Sequence, residues 1–267
     1  MTDAFEPFLD DGMDDGGKDQ TFRRPIDWRC GERTDVGAVR QVNEDALLRR
    51  PDIGLWAVAD GMGGHEVGDV ASRMIVEALA QVSDSERLSD FVDDVEQSLL
   101  DVNRQILDYA DLMFDKATMG STLVSLVIRG RVGVCLWTGD SRLYRLRNHQ
   151  LTQLSRDHSH VQELIEMGAI TPEEAVKHPH ANVITRAIGV EEPGFIDINV
   201  FNAQIGDTFL LCSDGLYNTM DDAEITHLLG GRDPQRVSEA LVQLSLERGA
   251  PDNVSVVVVK GEPGKFS

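Results

Sequence analysis

The sequence predicts an α+β fold, with antiparallel sheet covered on its outer faces by helices. Three observations predict it. Apolar, strand-like runs come in neighbouring groups, not singly between helices as a parallel sheet would need. Helical patterns come as a pair between the first strand run and the next. Arg129-Gly130 is a tight connection between two runs and reads as a hairpin turn.

Taken in chain order, residues 1–28 are expected to be a flexible acidic tail. Asp10-Asp11-Gly12-Met13-Asp14-Asp15-Gly16-Gly17 has too few apolar positions to offset its ordering entropy. Its Asp and Gly spacing is calcium-loop-like, but a Glu at the twelfth position and flanking helices are missing. A domain is expected over 29–262. Its strands are expected at 53–59, 121–128, 131–137, 142–146, 196–201, 208–212 and 254–259. Val67, Val70, Ala71, Met74, Ile75, Ala78 and Leu79 form one helical stripe. Leu88, Phe91, Val95, Leu99, Val102 and Ile106 form the second, and Val237, Leu241 and Leu244 a third near 236–246. The polar stretch 156–189 holds His158, His160, His178 and His180. It also carries the helix-start signal Thr171-Pro172-Glu173-Glu174, so a partly helical excursion from the sheet is expected.

With 267 residues the chain is long enough for one large domain or two small ones, and it carries no clear boundary between two. Its 25 basic and 46 acidic residues give a net charge of −21, a field that repels nucleic acid and anionic membrane surfaces. The three cysteines, Cys30, Cys135 and Cys212, include no Cys-x-x-Cys pair. That argues against a disulfide framework or zinc site and for a reducing compartment. No run reaches the roughly 18 apolar residues of a membrane span. The acidic N-terminus is unlike a signal peptide, so the expected location is cytoplasmic.

The chemistry concentrates at strand ends. Asp60-Gly61 and Asp214-Gly215 close two apolar runs, and Asp252-Asn253 opens a third. A carboxylate at the tip of a buried strand is a hard oxygen ligand on a stiff support, suited to Mg²⁺ or Mn²⁺. Each Asp-Gly alone is an ordinary turn. Three beside strands too apolar to be edges are harder to dismiss. Arg40, with Glu44-Asp45 nearby, offers a planar fork for phosphate oxygens.

Eight motifs then stand in order: Val39-Arg40…Asn43-Glu44-Asp45; Ala59-Asp60-Gly61-Met62-Gly63-Gly64-His65; Met119-Gly120-Ser121-Thr122; Thr138-Gly139-Asp140-Ser141-Arg142; Arg156-Asp157-His158-Ser159; Ile184-Thr185-Arg186-Ala187-Ile188-Gly189; Leu211-Cys212-Ser213-Asp214-Gly215-Leu216; and Asp252-Asn253. Together they resemble the bacterial form of the PPM family, the type 2C metal-dependent serine/threonine phosphatases. The likeness runs from about Gly31 to Lys260.

The resemblance implies a four-layer αββα sandwich of two antiparallel sheets flanked by helix pairs. It implies two Mn²⁺ or Mg²⁺ ions, with Asp60 bridging both and the Gly61 carbonyl on one. Asp214 and Asp252 complete the other ion's shell. Glu44 acts through a bound water, Asp45 is its partner, and Arg40 binds phosphate. Phosphoserine and phosphothreonine proteins are the implied substrates, a hydroxide bridging the ions the nucleophile, and 156–189 a flap beside the site. An opposing Ser/Thr kinase is the implied partner; neither nucleic acid nor membrane is expected, and the chain is expected to be a monomer.

Two departures shape these expectations. Eukaryotic members have His directly after Asp-Gly, where this chain has Met62. His65 is then the nearest candidate general acid, with metal-bound water as the alternative. Many bacterial members have Asp at the position of Ala117, so a third ion is not expected; Asp115 is off register. A cysteine mechanism would need Cys-x5-Arg, but position 218 after Cys212 is Asn218. The run 54–76 is similar to phosphatases that oppose a kinase in type VI secretion. A catalytically silent phosphoprotein-binding relative and a phosphatase for small phosphoesters remain the alternatives.

Overall fold

A computed structural model describes residues 24–63, 67–113, 119–175 and 177–265. Strands are numbered in chain order. One five-stranded sheet runs β1 (Ile26–Asp35), β11 (Val254–Pro263), β10 (Thr208–Cys212), β7 (Arg142–Arg147), β8 (Gln150–Gln153). The other runs β2 (Asp45–Arg50), β3 (Leu55–Met62), β5 (Leu123–Arg129), β6 (Val132–Thr138), β9 (Asp197–Asn202), with β4 (Gly120–Ser121) paired to β3. All these pairings are antiparallel.

Alternation along the strands builds three apolar layers. Trp56, Val58, Val124, Leu126, Phe209, Leu211, Val257 and Val259 meet between the sheets. Their neighbours Leu55, Ala57 and Ala59 face the other way, onto helices α1 (Gly68–Ala80) and α2 (Leu88–Met113). Leu210, Cys212, Val256 and Val258 face α5 (Asp214–Tyr217), α6 (Asp222–Leu229) and α7 (Pro234–Glu247). The αββα sandwich is therefore the observed architecture. Each fully buried Trp56- or Phe209-sized side chain contributes about 2–3 kcal/mol of apolar transfer.

The helices follow their stripes. Ala71, Ile75 and Leu79 are buried on α1; Phe91, Val95, Leu99, Val102, Ile106 and Ala110 on α2. Arg129-Gly130 turns β5 into β6, with Gly130 at φ +57°. The excursion after β8 contains α3 (His160–Glu166) and α4 (Pro172–Ala175). Thr171 starts α4 with reciprocal bonds: Glu174 N–H to Thr171 Oγ1 at 3.3 Å, and Thr171 N–H to Glu174 Oε2 at 2.8 Å.

Two boundaries differ from expectation. β1 starts at Ile26 and pairs Trp28 with Gly261, so residues 26–28 belong to the sheet, not to a tail. β11 continues to Pro263. The charged, alternating text of β1 hid it, because an edge strand buries only one neighbour's width. Residues 1–23 of the expected tail lie outside the described residues.

Candidate active site

At one end of the sandwich the inward-facing positions turn polar together. Following the two-residue period of the inter-sheet layer, Val58 gives way to Asp60 and Leu47 to Asp45. Val124 gives way to Thr122, Leu143 to Ser141, Leu211 to Ser213 and Val257 to Ser255. Asp45 and Asp60 lie directly opposite each other in the β2–β3 ladder. A cavity of about 250 Å³ opens there. Arg40, Glu44, Asp60, Asp140, Asp214 and Asp252 line it, with Gly61, Thr122 and the excursion residues Asn182 and Ile184.

Glycine brings the backbones close enough. A Cβ on Gly61 would stand 2.0 Å from the Gly68 carbonyl oxygen; one on Gly215 would stand 2.0 Å from that of Asn253. Asp214 therefore begins α5 directly off the end of β10, with β11's approach packed against it.

The carboxylates are electrostatically strained. Burial pushes the Asp60 carboxyl well above its ordinary range, and the charges of Asp45 and Asp214 push it further. Asp214 rises to about 8 by burial, then by Asp140 and Asp252. Asp45 rises to about 6, chiefly by burial. Asp140, only 8% exposed, also rises to about 6 by burial and then by Asp157. Arg40 is the cation at the rim, donating to Asp252 Oδ2 at 2.7 Å.

A neutral scaffold holds this cluster. Asn253 Oδ1 accepts from the Glu44 N–H at 2.8 Å, while its Nδ2 donates to the Val36 and Val42 carbonyls at 2.9 and 3.0 Å. One side chain thus pins both ends of the loop bearing Arg40. Ser213 Oγ donates to Asp45 Oδ2 at 2.9 Å and accepts from Ser255 N–H at 3.0 Å. Thr122 Oγ1 bonds Ser141 Oγ at 2.7 Å and accepts from Asp60 N–H at 3.3 Å. Across the cavity, the Thr185 N–H donates to the His158 carbonyl at 2.8 Å, and the His158 N–H to that of Gly139 at 2.9 Å. The excursion is so anchored beside Asp140.

The donor set fits a hard divalent cation. It is carboxylate and carbonyl oxygen throughout, its acids raise one another's pKa, and Asp45 Oδ1 is buried without a hydrogen-bond partner. Among the described residues no three acidic, His or Cys side chains converge as a closed cage. Mutual repulsion and the pull of Arg40 on Asp252 account for the open arrangement.

Comparison with known proteins agrees. The family model for protein phosphatase 2C matches residues 37–246. The chain belongs to the protein phosphatase 2C family. It is 40% identical over 233 residues to the serine/threonine protein phosphatase PstP of Mycobacterium tuberculosis, covering 86% of this chain and 44% of that one. The chain thus spans less than half the length of this curated relative. Among solved structures, PppA, a key regulatory component of the type VI secretion system in Pseudomonas aeruginosa, is 46% identical with TM-score 0.82. That match covers 88% of this chain and 97% of PppA. The PstP catalytic domain in complex with two manganese ions is 35% identical with TM-score 0.80, covering 89% and 99%.

In this 2C-type site the structure brings together Arg40, Glu44, Asp45, Asp60, Gly61, Asp214 and Asp252 from the sequence expectation. His65, Asp115 and Ala117 lie outside the described residues. Sequence reasoning left out Asp140 and Asn253. Asp140 lies in the Thr138-Gly139-Asp140-Ser141-Arg142 motif, but its turn follows a strand with no visible partner acid. Asn253 stands out in the sequence only as Asp252's neighbour, because a bracing amide carries no charge signal. Cys212 is core, fully buried, its thiol pushed up to about 12 by burial.

Proposed function

We propose that this protein is a metal-dependent serine/threonine protein phosphatase that hydrolyses phosphoserine and phosphothreonine on proteins. One observation carries the reading: Asp60, Asp214 and Asp252 line a single cavity beside Arg40, in a 2C-family fold. Asp60, the Gly61 carbonyl, Asp214 and Asp252 are assigned to two Mn²⁺ or Mg²⁺ ions; that the similar PstP catalytic domain is solved in complex with two manganese ions supports the number. Such ions activate water and screen phosphoryl charge when bound.

The chain's own residues then divide the work. Glu44 orients water at the rim, and Asp45, held by Ser213, keeps the β2 side of the site anionic. Arg40, now donating to Asp252 at the rim, would supply a guanidinium fork for phosphate oxygens, and Asp252 would serve as a cation ligand. Asn182 and Ile184 border the entry, where a polypeptide substrate would pass. His65 is assigned as candidate proton donor to the departing seryl or threonyl oxygen.

Phosphorylated proteins are the proposed substrates, opposite a Ser/Thr kinase. Likeness to PppA supports a place in type VI secretion control. Three free cysteines support action in the cytoplasm. The chain is proposed to act as a monomer. Among the described residues no helix is long and apolar enough to cross a membrane. Hydrolysis of p-nitrophenyl phosphate and a phosphothreonine peptide with Mn²⁺, with and without EDTA, tests the reading. Metal-dependent turnover of both is expected; no turnover of any phosphopeptide would leave a binding relative instead.

A further inference from the structure

Three of the chain's histidines gather in the excursion, and none of them lines the carboxylate cavity. The ring centroids of His160 and His178 are 6.0 Å apart, those of His160 and His180 5.9 Å, and those of His178 and His180 5.7 Å. His160 opens α3; His178 and His180 lie in the turn after α4, so the set joins two segments. His160 and His178 are half-buried and His180 is exposed. From this juxtaposition we infer a second metal site, a tri-histidine site for a zinc-class ion that clamps the excursion beside the catalytic cavity.

The spacing is close to what an ion imposes. A point equidistant from three centroids so placed lies about 3.4 Å from each. An imidazole nitrogen bound at roughly 2.1 Å puts its ring centroid about 3.2 Å from the ion. The three nitrogens do not yet converge on one point. His178 Nδ1 is held by the His180 N–H at 3.2 Å. Closure takes a radial move of a few tenths of an ångström and a ring rotation, within ordinary side-chain freedom. Solvent completes a fourth position.

The ligand type separates this site from the cavity. Neutral imidazole selects Zn²⁺, Ni²⁺ or Cu²⁺, whereas the carboxylate cavity suits Mg²⁺ or Mn²⁺. The clamp has a consequence for the cavity. The His160 N–H already donates to the Val183 carbonyl at 2.9 Å, and Ser159 pairs with Ile184 across the same junction. An ion on the three rings holds the segment carrying Asn182 and Ile184, both at the cavity's edge.

Zn²⁺ binding in saturating Mg²⁺ tests this by calorimetry on the full chain, without recourse to turnover. Wild type and Asp214→Asn are expected to bind one Zn²⁺ with equal affinity. His160→Gln and His180→Gln are expected to bind it at least tenfold more weakly while keeping wild-type far-UV circular dichroism. Hydrogen exchange is expected to slow across 178–184 on adding Zn²⁺ to wild type and to Asp214→Asn, but not to the histidine variants. Equal Zn²⁺ affinity in the histidine variants, or loss of binding in Asp214→Asn instead, overturns the site. Binding without slowed exchange overturns the clamp.

Discussion

The two ends of β10 each carry an aspartate, and the protein treats them in opposite ways. Five buried residues separate Asp207 from the strand's far end, where Asp214 follows Ser213. Asp207 is 1% exposed and closed by Arg147, whose Nε and Nη2 donate to its two oxygens at 2.7 and 2.6 Å. The Gln204 N–H adds a third bond at 2.8 Å. Asp214 has no such fork. Its side-chain partner is the Asn218 amide at 3.1 Å, and burial, then the charges of Asp140, Asp252 and Asp45, raise its pKa to about 8. Burying a charge is tolerated when a partner satisfies it. At the Asp207 end the fold supplies that partner itself. At the Asp214 end it leaves the place open, the expected signature of a site reserved for a cation.

The largest effect should fall on Asp214. Asp214→Asn is expected to lower phosphopeptide turnover in Mn²⁺ by roughly 10³-fold, about 4 kcal/mol of transition-state stabilisation. The same change should leave the metal-free protein as stable as wild type or more so, because it removes a buried carboxyl that folding forces to stay protonated up to about pH 8. Full turnover in Asp214→Asn would break the contrast at its active end. Asp207→Asn should do the reverse. It strands a partly buried guanidinium and is expected to cost about 3 kcal/mol, lowering Tm by roughly 6–12 °C. Turnover per folded molecule should stay within about twofold. A thermal melt and an active-site-normalised assay decide both halves.

Asn253→Ala falls between these extremes. It removes three hydrogen bonds of a side chain that is 4% exposed, and leaves the Glu44 N–H and two loop carbonyls to find other partners. A cost of about 2 kcal/mol is expected. Because the loop carries Arg40, KM for phosphopeptide should rise severalfold more than kcat falls. An unchanged KM would show that Asn253 braces the fold without placing Arg40.

How much of this was legible follows from what leaves a mark in sequence. β3, β5, β6 and β10 are buried on both faces and read as apolar runs. β1, β2 and β8 do not, because edge strands such as Gln150–Gln153 mix polar and charged residues. The short α5 was invisible; four residues give no periodicity. Asp60, Asp214 and Asp252 were legible because an acid beside an apolar strand breaks a pattern. Asp140 and Asn253 were not, since their value is relational. One matters through Asp214 across the sheet, the other through three backbone groups 209 to 217 positions away. The switch of six inward positions from apolar to polar appears only once strand pairing sets them side by side.

The mildest test is the pH dependence of the metal-free protein. An ordinary Asp carboxyl titrates near 3.8, whereas folded Asp214 titrates at about 8 and Asp45 and Asp140 at about 6. Between those values the folded state holds protons that the unfolded chain has released. Stability contributed by these groups is therefore fully present below about pH 4 and falls as pH rises toward 8. In EDTA, Tm is expected to drop by more than about 4 °C from pH 5 to pH 8, the shift that 1–2 kcal/mol produces in a domain of this size. Saturating Mn²⁺ competes with those protons, so the gap between the metal-loaded and metal-free Tm should widen with pH. Asp214→Asn should flatten part of the metal-free slope. Parallel slopes in wild type and Asp214→Asn would mean that the open end of β10 is no more strained than the closed one.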